Sequence, residues 1–67
     1  MLEIELNGAA HAMPAGGSLH DLVVALGLTG QALALAVNRS VVPRERWAGT
    51  KLAAGDQVDV VRAIGGG

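Results

Sequence analysis

The sequence closes on Gly65-Gly66-Gly67, and the one reactive group these residues present is the terminal carboxylate of Gly67. Glycine has no Cβ, so such a segment can extend through a channel too narrow for any other residue. A carboxylate at the tip of a slim thread suits acyl chemistry performed by a partner, because the group must be activated before a nucleophile can attack it. Glycine-rich ends are also commonly frayed without purpose, and the glycines alone leave both readings open. The other reactive side chains point nowhere in particular. His11 and His20 lack ligand-like spacing, so surface positions are expected and no metal site. Gly16-Gly17 lacks the Lys-Ser/Thr that completes a phosphate loop, so nucleotide binding is not expected of this chain.

Size and composition narrow the field. A chain of 67 residues is one domain near the lower limit for a self-sufficient core. Half of it is hydrophobic, yet there is one Trp and no Phe or Tyr, so Leu, Val, Ile and Ala must build the interior. That leaves little structure in which to excavate an active-site cleft, which argues against an independent enzyme. The formal charge of −1 and the scatter of acids and bases give no phosphate-tracking surface for nucleic acid. No apolar run approaches a membrane span, and the Met1 end lacks a signal-peptide pattern, so a cytoplasmic domain is the expectation. Cysteine is absent, which removes disulfides, thiolate metal sites and a thiol nucleophile.

The elements that must hold the terminus are legible in the hydrophobic pattern. Leu2, Ile4 and Leu6 alternate with Glu3, Glu5 and Asn7, as in a half-buried strand. Asn7-Gly8 is a hairpin signal, because both residues tolerate the positive φ of a type I′ turn. A second strand is expected over Ala9 to Met13, ended by Pro14 to Gly17. Ser18 and Asp21 have the spacing of a capping box. Leu19, Leu22, Val23 and Leu26 then form one helical stripe, with Gly27 as the C-terminal cap and Leu28 folding back. Leu33 to Val37 reads as a third strand, Asn38-Arg39-Ser40 as a turn, and Val41-Val42 as a short return strand stopped by Pro43. A single helical turn is expected over Arg44 to Trp47, and a last strand over Gln57 to Ile64.

Two strands in a hairpin, one helix and further strands fit an α+β arrangement, a mixed four- to five-stranded sheet packed on one helix. The helix serves as a crossover, and the last strand pairs centrally and parallel to the first. This is the β-grasp, or ubiquitin-like, architecture. Residues 1–64 are expected to form the domain and residues 65–67 a flexible tail.

Over its full length the chain resembles the ThiS family of sulfur carriers in thiamine biosynthesis. The resemblance rests on Leu35-Ala36-Val37-Asn38, Val42-Pro43-Arg44-Glu45-Arg46-Trp47, Gly55-Asp56-Gln57-Val58 and Ile64-Gly65-Gly66-Gly67. The Pro-Arg-Glu-x-Trp stretch discriminates best, since other ubiquitin-like relatives share the fold and tail without it. Gly66-Gly67 is the family's defining pair, and Gly65 is a third glycine where other residues also occur. Carriers for molybdopterin synthesis share the fold and the Gly-Gly end, but are usually longer and more aromatic and lack that stretch. A ubiquitin-like interaction module with an idle tail is a further alternative.

The resemblance implies a cycle of chemistry on Gly67. A ThiF-type adenylyltransferase uses ATP to convert the carboxylate into an acyl-adenylate, and a sulfur donor displaces AMP to leave a thiocarboxylate. Thiazole synthase (ThiG) then accepts the sulfur. Gly65, Gly66 and Gly67 would lie in the partner's active site, and the carrier would bind no cofactor of its own and catalyse nothing. The lack of cysteine and the presence of a single lysine, Lys51, are compatible with an activated terminus that its own chain does not capture.

A docking surface is the last expectation. If Leu33, Leu35, Val37, Val58 and Val60 face the helix, alternation puts Ala34, Ala36, Val61 and Ala63 on the opposite face. Small apolar residues there form a flat docking patch beside the tail or merely fill exposed strand positions. Arg62 falls on the core side by alternation, but is expected to pass the end of the core and reach solvent or a partner carboxylate. Trp47 is expected to cover one edge of the core with its indole N–H partly solvated. Arg44, Glu45 and Arg46 read as a solvated loop, with Arg44 or Arg46 available to help dock a partner.

Overall fold

Leu2, Ile4 and Leu6 do share one face of a strand, and the hairpin that follows has the expected two-residue turn. The computed structural model describes residues 1–62. Strand β1 (Leu2–Leu6) pairs antiparallel with β2 (Ala9–Met13), with Leu6 opposite Ala9. Asn7 and Gly8 turn the chain at φ values of 49° and 86°, the left-handed region that both tolerate.

Ser18 caps helix α1 (Leu19–Ala25) through a complete capping box. The Asp21 amide donates to Ser18 Oγ at 3.2 Å, and the Ser18 amide donates to Asp21 Oδ2 at 3.0 Å. Hydrogen bonding to the carboxylate from Ser18, first from its backbone amide and then from its side chain, holds the Asp21 carboxyl below its ordinary value of 3.8. At the other end Gly27 adopts φ 71°. The Leu28 amide donates to Val23 O and the Gly27 amide to Val24 O, the two bonds of a Schellman cap, and Leu28 packs against the core as expected.

Strand β3 (Leu33–Val37) turns into β4 (Ser40–Val42), and β5 (Gln57–Arg62) completes a five-stranded sheet in the order β2-β1-β5-β3-β4. The central β5 is parallel to β1 and antiparallel to β3. Ile4, Leu35 and Val58 from the sheet bury against Leu19, Leu22 and Val23 from the helix. Each such side chain withdraws apolar area worth about 1.5–3 kcal/mol.

Several expectations shift in detail. Ser40 belongs to β4 rather than to the turn, because Asn38 and Arg39 alone reverse the chain at φ 50° and 70°. The turn over Arg44 to Trp47 is a longer 3-10 helix, Arg44–Gly49. Trp47 is only 4% exposed, and its indole N–H is not solvated: it donates to Val42 O at 2.9 Å. Burying that donor requires a partner, and the carbonyl at the end of β4 supplies one. Arg44 is not a free loop cation either. Its guanidinium donates to Gln31 O at 2.7 Å and lies 5.1 Å from the centroid of the Trp47 ring.

Leu52 is a core residue that periodicity does not reveal. Its amide donates to Gly17 O, and the Leu19 amide donates to Thr50 O, so residues 50–52 lie along the start of α1. For the last strand, the described residues end at Arg62; Ala63 and Ile64 lie outside them.

Candidate functional site

The strand that leads to the terminal glycines is gripped from both sides. On the β1 side, the Glu5 amide donates to Asp56 O and the Asn7 amide to Val58 O, each at 2.9 Å. Asn7 adds its side chain, whose Oδ1 accepts from the Val60 amide at 2.8 Å. On the β3 side, the Asn38 amide donates to Gln57 O at 2.7 Å, and Asn38 Oδ1 accepts from the Gln57 amide at 3.0 Å. Asn38 Nδ2 also reaches Asp56 Oδ1 at 3.2 Å. Both asparagines sit at positive φ. That conformation turns the backbone away from the sheet while the short amide side chain continues the ladder along β5.

The face of the sheet away from the helix carries the expected docking residues. Val61 is 63% exposed and stands directly opposite the exposed Ala34 in the β5–β3 register. Ala36, half-buried, lies between Asp59 of β5 and Val41 of β4. Arg62 is exposed and pairs with Leu33, so it has passed the end of the core. Ala63 and the terminal Gly65, Gly66 and Gly67 lie outside the described residues.

Other residues of this face were missed. Val41 is 76% exposed and continues the apolar strip from Ala36. Glu3 and Glu5 of β1 and Asp59 of β5 bring carboxylates onto the same face. The signal was present, since the Leu-Glu-Ile-Glu-Leu alternation that buries Ile4 must turn both glutamates outward.

The remaining candidates are separated. His11 is half-buried on β2, opposite Ile4, whereas His20 is exposed on α1 and lines a shallow cleft with Leu28, Arg44 and Trp47. Among the described residues, no group of three or more His, Asp or Glu side chains is placed to hold a metal ion. A Cβ on Gly17 would lie 2.5 Å from Met13 Cε and 3.1 Å from Pro14 O, so close packing accounts for this glycine. Among the described residues, no helix is long and apolar enough to cross a membrane.

Known proteins resemble this arrangement along its whole length. A family model described as the ThiS family matches residues 3–67. The sulfur carrier protein ThiS of Escherichia coli is 36% identical over 66 residues, covering 98% of this chain and 100% of that protein. A thiazole synthase of Magnetococcus marinus is 38% identical over 66 residues; the match takes in 98% of this chain but spans only 20% of that relative. The crystal structure of the thiamine biosynthesis protein ThiS from Geobacter metallireducens superposes with a TM-score of 0.82 at 26% identity. That likeness covers 98% of this chain and 100% of the other, and it places the five strands and one helix among the β-grasp folds. The chain belongs to the ThiS family, the sulfur carriers of thiamine biosynthesis.

Proposed function

We propose that this protein carries sulfur as a thiocarboxylate on Gly67. A ThiF-type adenylyltransferase binds ATP, and an oxygen of the Gly67 carboxylate attacks the α-phosphate with release of pyrophosphate. The acyl carbon, now bonded to a good leaving group, is attacked by the terminal sulfur of a donor persulfide and expels AMP, leaving an acyl disulfide. A thiol then attacks the donor-side sulfur, forms a disulfide with it and releases the thiocarboxylate. Thiazole synthase then takes the sulfur, and the carrier returns as a carboxylate. In this cycle the chain is a recycled co-substrate working in the cytoplasm beside its enzymes. It holds no cofactor, because ATP binding and sulfur mobilisation belong to the partners.

The observation that carries this reading is the match to ThiS sequences through residue 67, glycines included. The likeness of this chain to one fifth of a protein named thiazole synthase supports direct hand-over between carrier and synthase. The strip of Ala34, Ala36, Val61 and Val41, flanked by Arg62, is the surface on which the partners dock. Gly65, Gly66 and Gly67 thread into their active sites, where any side chain would obstruct approach to the acyl carbon.

The test is complementation of a strain that lacks its own thiamine sulfur carrier. The wild-type chain should restore growth without thiamine. A variant with one alanine appended after Gly67 should not, although it folds normally. Growth supported by the extended variant would show that the terminal carboxylate is not the working group.

A further inference from the structure

Hydrogen bonds along β5 assign each backbone group to one side of the strand. Gln57 directs its N–H and C=O at Asn38, on the β3 side. In an antiparallel ladder these directions alternate residue by residue, so Asp59 and Val61 also face β3, opposite Ala36 and Ala34. Val58, Val60 and Arg62 therefore turn their polar backbone groups to the β1 side. The bonds from the Asn7 amide to Val58 O and from the Val60 amide to Asn7 Oδ1 agree with this assignment.

The β1 column ends there. Its last register pair is Leu6 with Val58, and Asn7 and Gly8 carry the chain away into β2. Past the Asn7 side chain, the carbonyl of Val60 and the amide of Arg62 face the line of β1 with no strand beside them. Among the described residues neither has a hydrogen-bond partner. From Val60 to Arg62 the strand is thus paired on one edge by β3 and open on the other.

We propose that this open edge of β5 receives an extended segment of the adenylating enzyme by strand addition. The Val60 carbonyl and the Arg62 amide supply the first main-chain hydrogen bonds. An added strand satisfies exposed backbone groups and fixes direction without reading many side chains. Here it would align the strand along the enzyme's backbone immediately before Gly65, so the acyl carbon would arrive in a fixed register. The Asn7 side chain marks where the protein's own pairing stops and the partner's begins. This inference rests on the carrier reading above.

The test compares conversion of four carriers by a ThiF-type enzyme with ATP and a sulfur source: wild type, Arg62→Ala, Arg62→Pro, and a semisynthetic chain N-methylated at the Arg62 amide. Proline is tolerated in a strand where the missing N–H would face outward, so Arg62→Pro should melt close to the wild-type temperature. Val61→Pro, whose N–H faces β3, should melt markedly lower. Arg62→Pro and the N-methyl chain should each raise KM for the carrier at least about tenfold beyond any change caused by Arg62→Ala, which keeps the amide. Equal losses in Arg62→Pro and Arg62→Ala, with a fully active N-methyl chain, would overturn the proposal in favour of the side chain. A normal melting temperature for Val61→Pro would overturn the assignment of edges. A wild-type chain left unmodified, while a known carrier is converted, would bring down the carrier reading and this pairing with it.

Discussion

Asn7 Oδ1 lies 2.8 Å from the Val60 amide nitrogen, a side-chain bond that spans 53 residues of sequence and extends the β1–β5 ladder past the end of β1. Together with Asn38 on the other side, it anchors the strand that carries the terminal glycines. In the proposed carrier cycle this anchoring matters because it fixes the end of β5 that precedes the reactive terminus.

Replacing Asn7 with glycine keeps the positive φ acceptable and removes only the side-chain acceptor. Asn7→Gly should lower stability by about 1 kcal/mol, which is a fall of roughly 4–8 °C in melting temperature for a domain of this size. Hydrogen exchange should accelerate at the Val60 amide ahead of its β3-facing neighbours. Unchanged protection at Val60 would mean that Asn7 does not hold the strand.

Arg39 occupies the second turn position between β3 and β4 at φ 70°, where a side chain costs about 1–2 kcal/mol. Glycine relieves that cost but loses about 0.4–1 kcal/mol to the entropy of the unfolded chain. Arg39→Gly is therefore expected to stabilise by about 0.5–1 kcal/mol, read as a raised melting temperature. A lower melting temperature would show that the Arg39 side chain contributes more than its conformation costs.

Trp47 is held by packing and by its bond to Val42 O. Trp47→Phe leaves that carbonyl without its donor and a gap where the larger ring was, for an expected loss of about 1–3 kcal/mol by chemical denaturation followed by circular dichroism. The Gln31 loop should loosen as well, since Arg44 bonds Gln31 O while lying over the indole. A loss within experimental error would mean that the core closes over the smaller ring.

Asp21 gives the fold a pH dependence of known sign. Its native pKa lies below the ordinary 3.8, so the unfolded chain takes up the proton first as pH falls. The capping box is fully stabilising above that ordinary value and is lost as pH drops through the lower native one. The difference in melting temperature between wild type and Asp21→Asn should be clear near neutrality and shrink as pH falls below the ordinary 3.8. A difference that stays constant would place the cap's contribution elsewhere.

Much of this was legible in the residues, for identifiable reasons. The hairpin at Asn7-Gly8, the capping box at Ser18 and the Gly27 cap each depend on short-range geometry that particular residue types fulfil, and each is present. The alternation in β3 and β5 placed Ala34, Ala36 and Val61 on the open face, where they stand. What was not legible depends on contacts between distant residues. Leu52 is buried because residues 50–52 run beside the start of α1, a pairing that no local pattern announces. Trp47 and Arg44 are fixed by the carbonyls of Val42 and Gln31, and a backbone acceptor has no signature in sequence. The side chains of Asn7 and Asn38 could be assigned to turns, but their second role along β5 appears only once the strand order is known.

If Gly67 carries the sulfur in the proposed cycle, intact-mass spectrometry registers the exchange at that residue. The chain is incubated with a ThiF-type enzyme, ATP and a sulfur source, then weighed whole and after proteolysis. The expected result is an oxygen-to-sulfur mass gain confined to the fragment that bears Gly67. An unchanged mass, with the enzyme shown to be active on a known carrier, would mean that Gly67 carries no sulfur.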